Sequence, residues 1–585
     1  MNQLRVLGLL LLFLWGIIFT LHAQKPTTFQ EAIPELHNEI KDVLAAHRIQ
    51  GVSIVLTDHQ YPLFQYAWGW ANEDAQKAVS PETMFRLGSV SKTFTATAVM
   101  QLHEQGKIDI YQPINTYLPA FSPLSRFEGA RDISVHDLLT HHSGLPSDRL
   151  DGFYSKRPKP FQELLQKISE TYLSFPPNTC MAYSNLGYSI LGILIEEVSG
   201  QTYENYIRSH IFEPLGIKDA HFSYKGRDTL SYANGYDFKG RKANEPWMRD
   251  VPAVMLQAHS KDMSKWMQYL LKISKGEEGS VIQPSTFAMM VSPSQQKIVL
   301  DFDSQMGMGF FLRGPYSPWG FAGGAIQHGG DTRLFHTQMT LLPAKDLGLI
   351  IMTNSENGAQ ACSEIEKIVL LKAMELLRGK KFSKKTKPLY YVHRGSQRSI
   401  KELGGTYAFG TMPLNIIPEK NKMVFKMGNK KENMHYEPSY NHYYVNQTFL
   451  GIPLRSSEKA YFFREVNGHQ VITTLGSNGE SLVGIKQQSN PIPEEWEKAC
   501  GKYWPENAEN EYLLQNFSLV KENGFLLIKA RLFGQKPVKK LGLNPLSKHA
   551  AVVYGLGRNA GDRVEIIQEK GQTILLYSGM RWIKK

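Results

Sequence analysis

"GSVSKTFTA", Gly88 to Ala96, places Ser89 and Lys92 three positions apart, and the reading of the chain turns on this stretch. The spacing alone selects nothing, because Ser294/Lys297, Ser456/Lys459 and Ser518/Lys521 repeat it. Context separates them. A polar turn, Phe85 and Gly88 precede Ser89, and "FTATAVMQLHEQGKI" continues after it as an apolar helix ending near Gly106. Ser89 therefore falls at or near a helix N-terminus, where unpaired N–H groups and the positive dipole end favour developing negative charge. Lys92, one turn on, shares its face. Ser294/Lys297 follows a proline in a loop, and the other two pairs sit in a strand-rich tail.

A lysine base meets an energetic obstacle. With an ordinary pKa near 10.4, keeping it deprotonated at pH 7 costs about 4.6 kcal/mol. Burial, nearby positive charge or a proton-sharing partner must lower that cost. Two segments offer partners: "MAYSNLGYS", with Tyr183-Ser184-Asn185 before an apolar helix, and "AIQHGGDT", with His328-Gly329-Gly330 at a strand. His136, His141 and His142 in "VHDLLTHHSGLP" supply no open-site ligand set, so no metal and no cofactor is expected.

At 585 residues the chain has room for several domains, and its 42% hydrophobic and 21% charged residues are those of an ordinary globular protein. Arg5 precedes an unbroken apolar run from Val6 to Leu21, with Ala23 before Gln24. Residues 1–23 read as an export signal, which predicts a periplasmic or secreted product with no stable membrane span after cleavage. That run falls short of the roughly 20 residues a bilayer span needs. Three widely spaced cysteines do not make a disulfide scaffold. The net charge of +12 is uneven: residues 378–401 carry nine basic residues and no acid, and residues 402–585 carry 24 basic against 17 acidic. The N-terminal part is then net acidic, and the basicity is read as a linker and tail property that does not line the candidate site. No nucleic-acid motif accompanies it, so nucleic acid is not an expected partner.

Residues 24–377 mix helical and strand patterns. After the basic linker, 378–401, short alternating segments broken by Asn467-Gly468 and Asn523-Gly524 read as hairpins. "LGGTY" at Leu403 and "ACGKY" at Ala499 open two similar stretches, 402–490 and 497–585, read as two small antiparallel barrels or sandwiches.

Ser-x-x-Lys, Tyr-x-Asn and His-x-Gly in this order resemble the motifs of the serine penicillin-recognising family. That family includes class C β-lactamases, D-alanyl-D-alanine carboxypeptidases, family VIII esterases and D-aminopeptidases. "FRLGSVSKTFTA", "ISVHDLLTHHSGLPS", "YSNLGYSILGILIEEVSG" and "HGGDTRLFHTQMTLLPAKDLGLIIMTN" extend the likeness over about Glu31 to Glu375. The resemblance implies an α+β fold: a β-lactamase/transpeptidase-like domain with an antiparallel sheet flanked by helices and a helical subdomain, then two lipocalin-like all-β barrels. It implies Ser89 as nucleophile, Lys92 as its base and Tyr183 as the proton-sharing phenol. Asn185, His328 and Gly330 would bind substrate, and the backbone N–H groups of Ser89 and Asp331 would form the oxyanion hole. Many members carry lysine where this chain has His328. A mostly neutral imidazole forfeits a fixed charge for a substrate carboxylate, so weak or no β-lactamase activity is expected. The expected function is an exported serine hydrolase acting through an acyl-enzyme on esters, D-amino-acid amides or small peptides, with a small-molecule or peptide substrate that could be cell-wall derived. The alternatives are an acyltransferase using the same intermediate and a non-catalytic protein that binds peptidoglycan fragments.

Overall fold

The computed structural model describes residues 29–378 and 402–585, apart from 225–230, 294–297, 316, 534–537 and several short segments between 420 and 489. The expected export signal (1–23) and the basic linker (378–401, beyond Arg378) lie outside the described residues. No described helix is long and apolar enough to cross a membrane.

Sequence alternation explains the first layer. In β1 (Gly51–Thr57) every residue is buried, because helices cover both faces. Val52, Ile54 and Leu56 meet Leu36, Ile40 and Leu44 of α1 (Phe29–Ala46), whereas Val55 turns into the core on the other side. Each such fully buried aliphatic contributes about 1.5–3 kcal/mol, so the strand is pinned between two layers. β2 (Pro62–Asn72) and β3 (Lys77–Ala78) continue the sheet on one side. β4 (Thr83–Gly88) leaves it and leads into α2 (Ser91–Glu104).

A helical region follows. It includes α3 (Asn185–Ser199), closed by Gly200 in the left-handed region, and the short α4 (Val251–Val254). β5 (Leu256–Ala258) pairs antiparallel with β4, and α5 (Ser260–Ser274) packs on the sheet face opposite α1. The chain then completes the sheet with β6 (Gln305–Met306), β7 (Phe311–Arg313), β8 (Ala325–Asp331), β9 (His336–Leu342) and β10 (Leu347–Thr353). The order is β6-β7-β8-β9-β10-β1-β2-β3, antiparallel throughout. α6 (Gly358–Arg378) lies beside α1.

The tail forms two closed eight-stranded barrels, from Gly405–Phe409 to Gly479–Lys486 and from Gly501–Pro505 to Met580–Lys584. Closure removes the edges that two small sandwiches would expose. Asn467-Gly468 and Asn523-Gly524 make the hairpin turns, and all four residues have positive φ. The two similar openings make the same contact: Tyr407 donates to the Leu403 carbonyl (3.1 Å) and Tyr503 to that of Ala499 (2.5 Å). The second barrel docks on the helical region. There Ser578 receives the Leu150 N–H (3.1 Å) and Ser174 donates to the Ala560 carbonyl.

Candidate active site

Ser89 sits in the turn between β4 and α2, one residue before the helix cap Val90. Gly88 takes φ +53°, and any Cβ there would lie 2.9 Å from the Asp331 nitrogen. Across the gap, a Cβ on Gly330 would lie 1.8 Å from the Leu87 carbonyl oxygen and 3.3 Å from the Ser89 nitrogen. Glycine at both positions thus lets β4 and β8 approach until the Ser89 and Asp331 backbones are neighbours.

Lys92 is wholly buried in the first turn of α2. Its Nζ donates to Asn185 Oδ1 (2.6 Å) and to the Ala253 carbonyl (2.8 Å), and lies 3.2 Å from Ser89 Oγ. A neutral amine has two N–H donors and one lone pair. The two carbonyl oxygens engage both donors, which leaves the lone pair for the serine hydroxyl. Burial is the main cause that drives the Lys92 pKa well below its ordinary value; Asp148 and Asp250 oppose this and Arg558 adds to it.

The Tyr183 hydroxyl is hydrogen-bonded to Ser89, and burial raises its pKa far enough that the phenol keeps its proton. The Tyr183 ring lies 4.8 Å from Lys92 Nζ, 4.2 Å from the His141 ring and 6.1 Å from Phe311. His141 is held by the Ser184 N–H, which donates to its Nδ1 (3.1 Å). Ser184 itself caps α3 by accepting the Gly187 N–H (2.9 Å), so Asn185 enters the site from the first residue of that helix.

His328 is buried in β8 with its ring 6.4 Å from Tyr183. Its Nδ1 bonds to the Gly329 carbonyl (2.6 Å), and its Nε2 has no partner among the described residues. Burial, then Lys92, lowers its pKa to about 3, so the imidazole is neutral. The structure thus brings Ser89, Lys92, Tyr183, Asn185, His328, Gly330 and Asp331 to one place. The three histidines weighed as metal ligands go to separate tasks: His136 stacks on Tyr111, His141 supports Tyr183, and His142 pairs with Asp301 (2.7 Å).

Two residues join the site unannounced by any motif. Asp148, buried, accepts a hydrogen bond from Asn185 Nδ2 (2.7 Å). Arg558, from a loop of the second barrel, donates from Nε to the other Asp148 oxygen (2.9 Å). The only visible trace in sequence is a lone arginine in the glycine-rich "YGLGRNAGD" that interrupts strand alternation. Arg558 and Lys539 both line a cavity of about 610 Å³ that opens at Ser89 and His328 and extends to Leu514, Ile528 and Phe533 of the second barrel. The expectation that tail basicity stays away from the site is therefore wrong. Barrel docking carries two tail cations into it.

The chain matches the family described as Beta-lactamase over residues 36–372. It is 31% identical over 259 residues, 43% of its length and 60% of the relative's, to PbpX of Bacillus subtilis (strain 168), whose name is that of a penicillin-binding protein. It is 22% identical over 324 residues, 54% of its length and 61% of the relative's, to protein flp of Staphylococcus aureus (strain MW2). The chain thus spans about 60% of the length of these curated relatives. Among solved structures, SurE with D-Leu superposes with TM-score 0.56 at 19% identity over 78% of this chain and 99% of that one. The octameric penicillin-binding protein homologue from Pyrococcus abyssi gives 0.50 at 20% identity over 94% and 100%. At these identities the likeness shows the fold. With the family matched over more than half the chain, and the serine, tyrosine, asparagine and histidine of the motifs lining one cavity, this protein belongs to the Beta-lactamase family.

Proposed function

We propose that this chain is an exported serine hydrolase that cleaves esters, D-amino-acid amides or small peptides through an acyl-enzyme on Ser89, with weak or no β-lactamase activity. The observation that carries the reading is the Lys92 amine, with both donors engaged by Asn185 and Ala253 and 3.2 Å from Ser89 Oγ. Export is supported by the apolar run after Arg5.

The steps follow from the placement. A substrate carbonyl carbon approaches Ser89 Oγ, with its oxygen between the N–H groups of Ser89 and Asp331. Lys92 takes the hydroxyl proton as the Oγ–C bond forms. The negative charge then gathers on the carbonyl oxygen, where one backbone donor is worth about 2.7–4 kcal/mol. The C–O or C–N bond breaks, and the departing group takes a proton from Lys92 relayed by Tyr183. Water then attacks the ester carbon, Lys92 and Tyr183 pass one of its protons to Ser89 Oγ as the C–Oγ bond breaks, and the acid product leaves. His328, neutral, offers no fixed charge to a substrate carboxylate, which argues against β-lactams as good substrates.

A fluorophosphonate probe tests the reading. Wild type is expected to label at a single site lost in Ser89→Ala, while nitrocefin is turned over slowly or not at all. Equal labelling of Ser89→Ala would remove the acyl-enzyme, and efficient nitrocefin turnover would remove the specificity.

A further inference from the structure

The base has an awkward neighbour. Lys92, Asn185 and Asp148 form a continuous hydrogen-bonded line, 2.6 Å and then 2.7 Å, that ends in a buried carboxylate. A lone carboxylate at that position favours the ammonium form of Lys92 and works against its use as a base. The second barrel answers this charge. Arg558 approaches both Asp148 oxygens, with Nε at 2.9 Å and Nη2 at 3.4 Å, and holds the Asp148 pKa below its ordinary value.

The loop that carries Arg558 is built for the position. Asp562 accepts hydrogen bonds from Tyr577 (2.9 Å) and Asn559 (3.2 Å), and the Ala560 carbonyl accepts one from Ser174 of the catalytic domain. Gly561 packs so closely that a Cβ would stand 2.1 Å from Ser174 Oγ. The loop has one seat, and the guanidinium follows from it.

We propose that the second barrel completes the catalytic centre: Arg558 binds Asp148 and cancels the negative charge that would otherwise hold Lys92 as an ammonium ion. Arg558 and Asp148 are positioning residues, acting on the Ser89 proton only through Asn185 and Lys92. The remaining groups around Lys92 do not replace this function. Asp250 is paired with Arg249 (2.9 Å), Tyr183 and Tyr188 present ring faces with their phenols protonated, and His141 and His328 are neutral. Arg313 is bonded to Gln327 (2.9 Å) and faces His328, as does Asp331. Lys539 stands beside Arg558.

The inference rests on Ser89 and Lys92 acting as proposed above, and one experiment separates the two. The rate at which a fluorophosphonate labels Ser89 is followed from about pH 5 to 10, so that its acid limb reports the base. In R558Q the midpoint is expected to rise by about one to two pH units, with labelling about ten- to hundredfold slower at pH values below the wild-type midpoint and the same plateau at high pH. R558K, which keeps the charge, is expected to stay near wild type. D148N and the D148N/R558Q double variant are expected at or below the wild-type midpoint, because Asp148 outweighs Arg558 in its effect on Lys92. A role in folding alone predicts no such ordering. A wild-type midpoint in R558Q, a loss that does not vary with pH, or a double variant that stays high would each overturn the inference while labelling of wild type upholds the parent reading. Absence of labelling at wild-type Ser89 would overturn both.

Discussion

Burial acts on two basic side chains, Lys92 and His328, in the same direction. It removes the water that stabilises their charged forms and lowers both pKa values, that of His328 to about 3. For His328 this has a thermodynamic signature. Its folded pKa of about 3 lies below the ordinary 6.5, so below pH 6.5 the unfolded chain binds a proton that the folded one refuses. Stability contributed by the neutral imidazole is full above pH 6.5 and is lost as pH falls toward 3, at about 1.4 kcal/mol per pH unit. Between pH 7 and 5 wild type should lose about 2 kcal/mol more than His328→Gln in denaturant unfolding of the catalytic domain. Equal losses would mean that the imidazole protonates in the folded protein. The tyrosine, asparagine and histidine of the motifs were legible as residue types. The neutrality of His328 followed from its ordinary pKa, but how far burial shifts Lys92, Tyr183 and His328 did not, because no local pattern encodes burial.

At the scale of elements, α2 carries the site on a core rather than a surface. Ser91 to Leu102 are all buried, so the helix lacks the polar face that an amphipathic pattern would give it. Its threonines bond back instead, as Thr93 does to the Val90 carbonyl (2.8 Å) and Thr97 to that of Thr93 (2.8 Å). Phe94, two residues past Lys92, stacks on Trp266 of α5 at 4.4 Å and meets Phe212 edge-on. Phe94→Ala should destabilise the catalytic domain by about 3–5 kcal/mol, read as a lower thermal midpoint. A change under about 1 kcal/mol would contradict the packing described. The apolar run after Ser89 announced this helix, but not that it begins two residues later, at Ser91. β4 extends through Gly88, and only its approach to β8 explains the turn between.

Across the whole molecule, the second barrel is a wall of the cavity and the source of one of its charges. Its seating can be disturbed far from Ser89. Gly561 has φ +81° and no room for a side chain against Ser174, so Gly561→Val should push the loop off its seat. The acid limb of Ser89 labelling should then move upward as in R558Q, with limited proteolysis revealing a loosened barrel. A loosened barrel with an unmoved limb would show that Arg558 is not needed where it stands. Charge counting had assigned the basic residues to the tail, correctly in sequence, and had kept them from the site, wrongly in space.

The chain's own order of residues determined the local features. These are the helix after Ser89, the Asn-Gly hairpins, the repeated barrel openings and the three motifs whose family likeness gathers them at one cavity. Each is written in neighbours a few positions apart, where backbone sterics and periodicity act directly. The tertiary structure alone decided that Asp148 stands behind Asn185, that Arg558 meets it from 410 positions away, and that Lys92 and His328 are too deeply buried to hold their charges readily. Such contacts depend on how one domain seats against another. An ion pair across that interface needs only the right charge at the right place, and it leaves no spacing rule in the sequence.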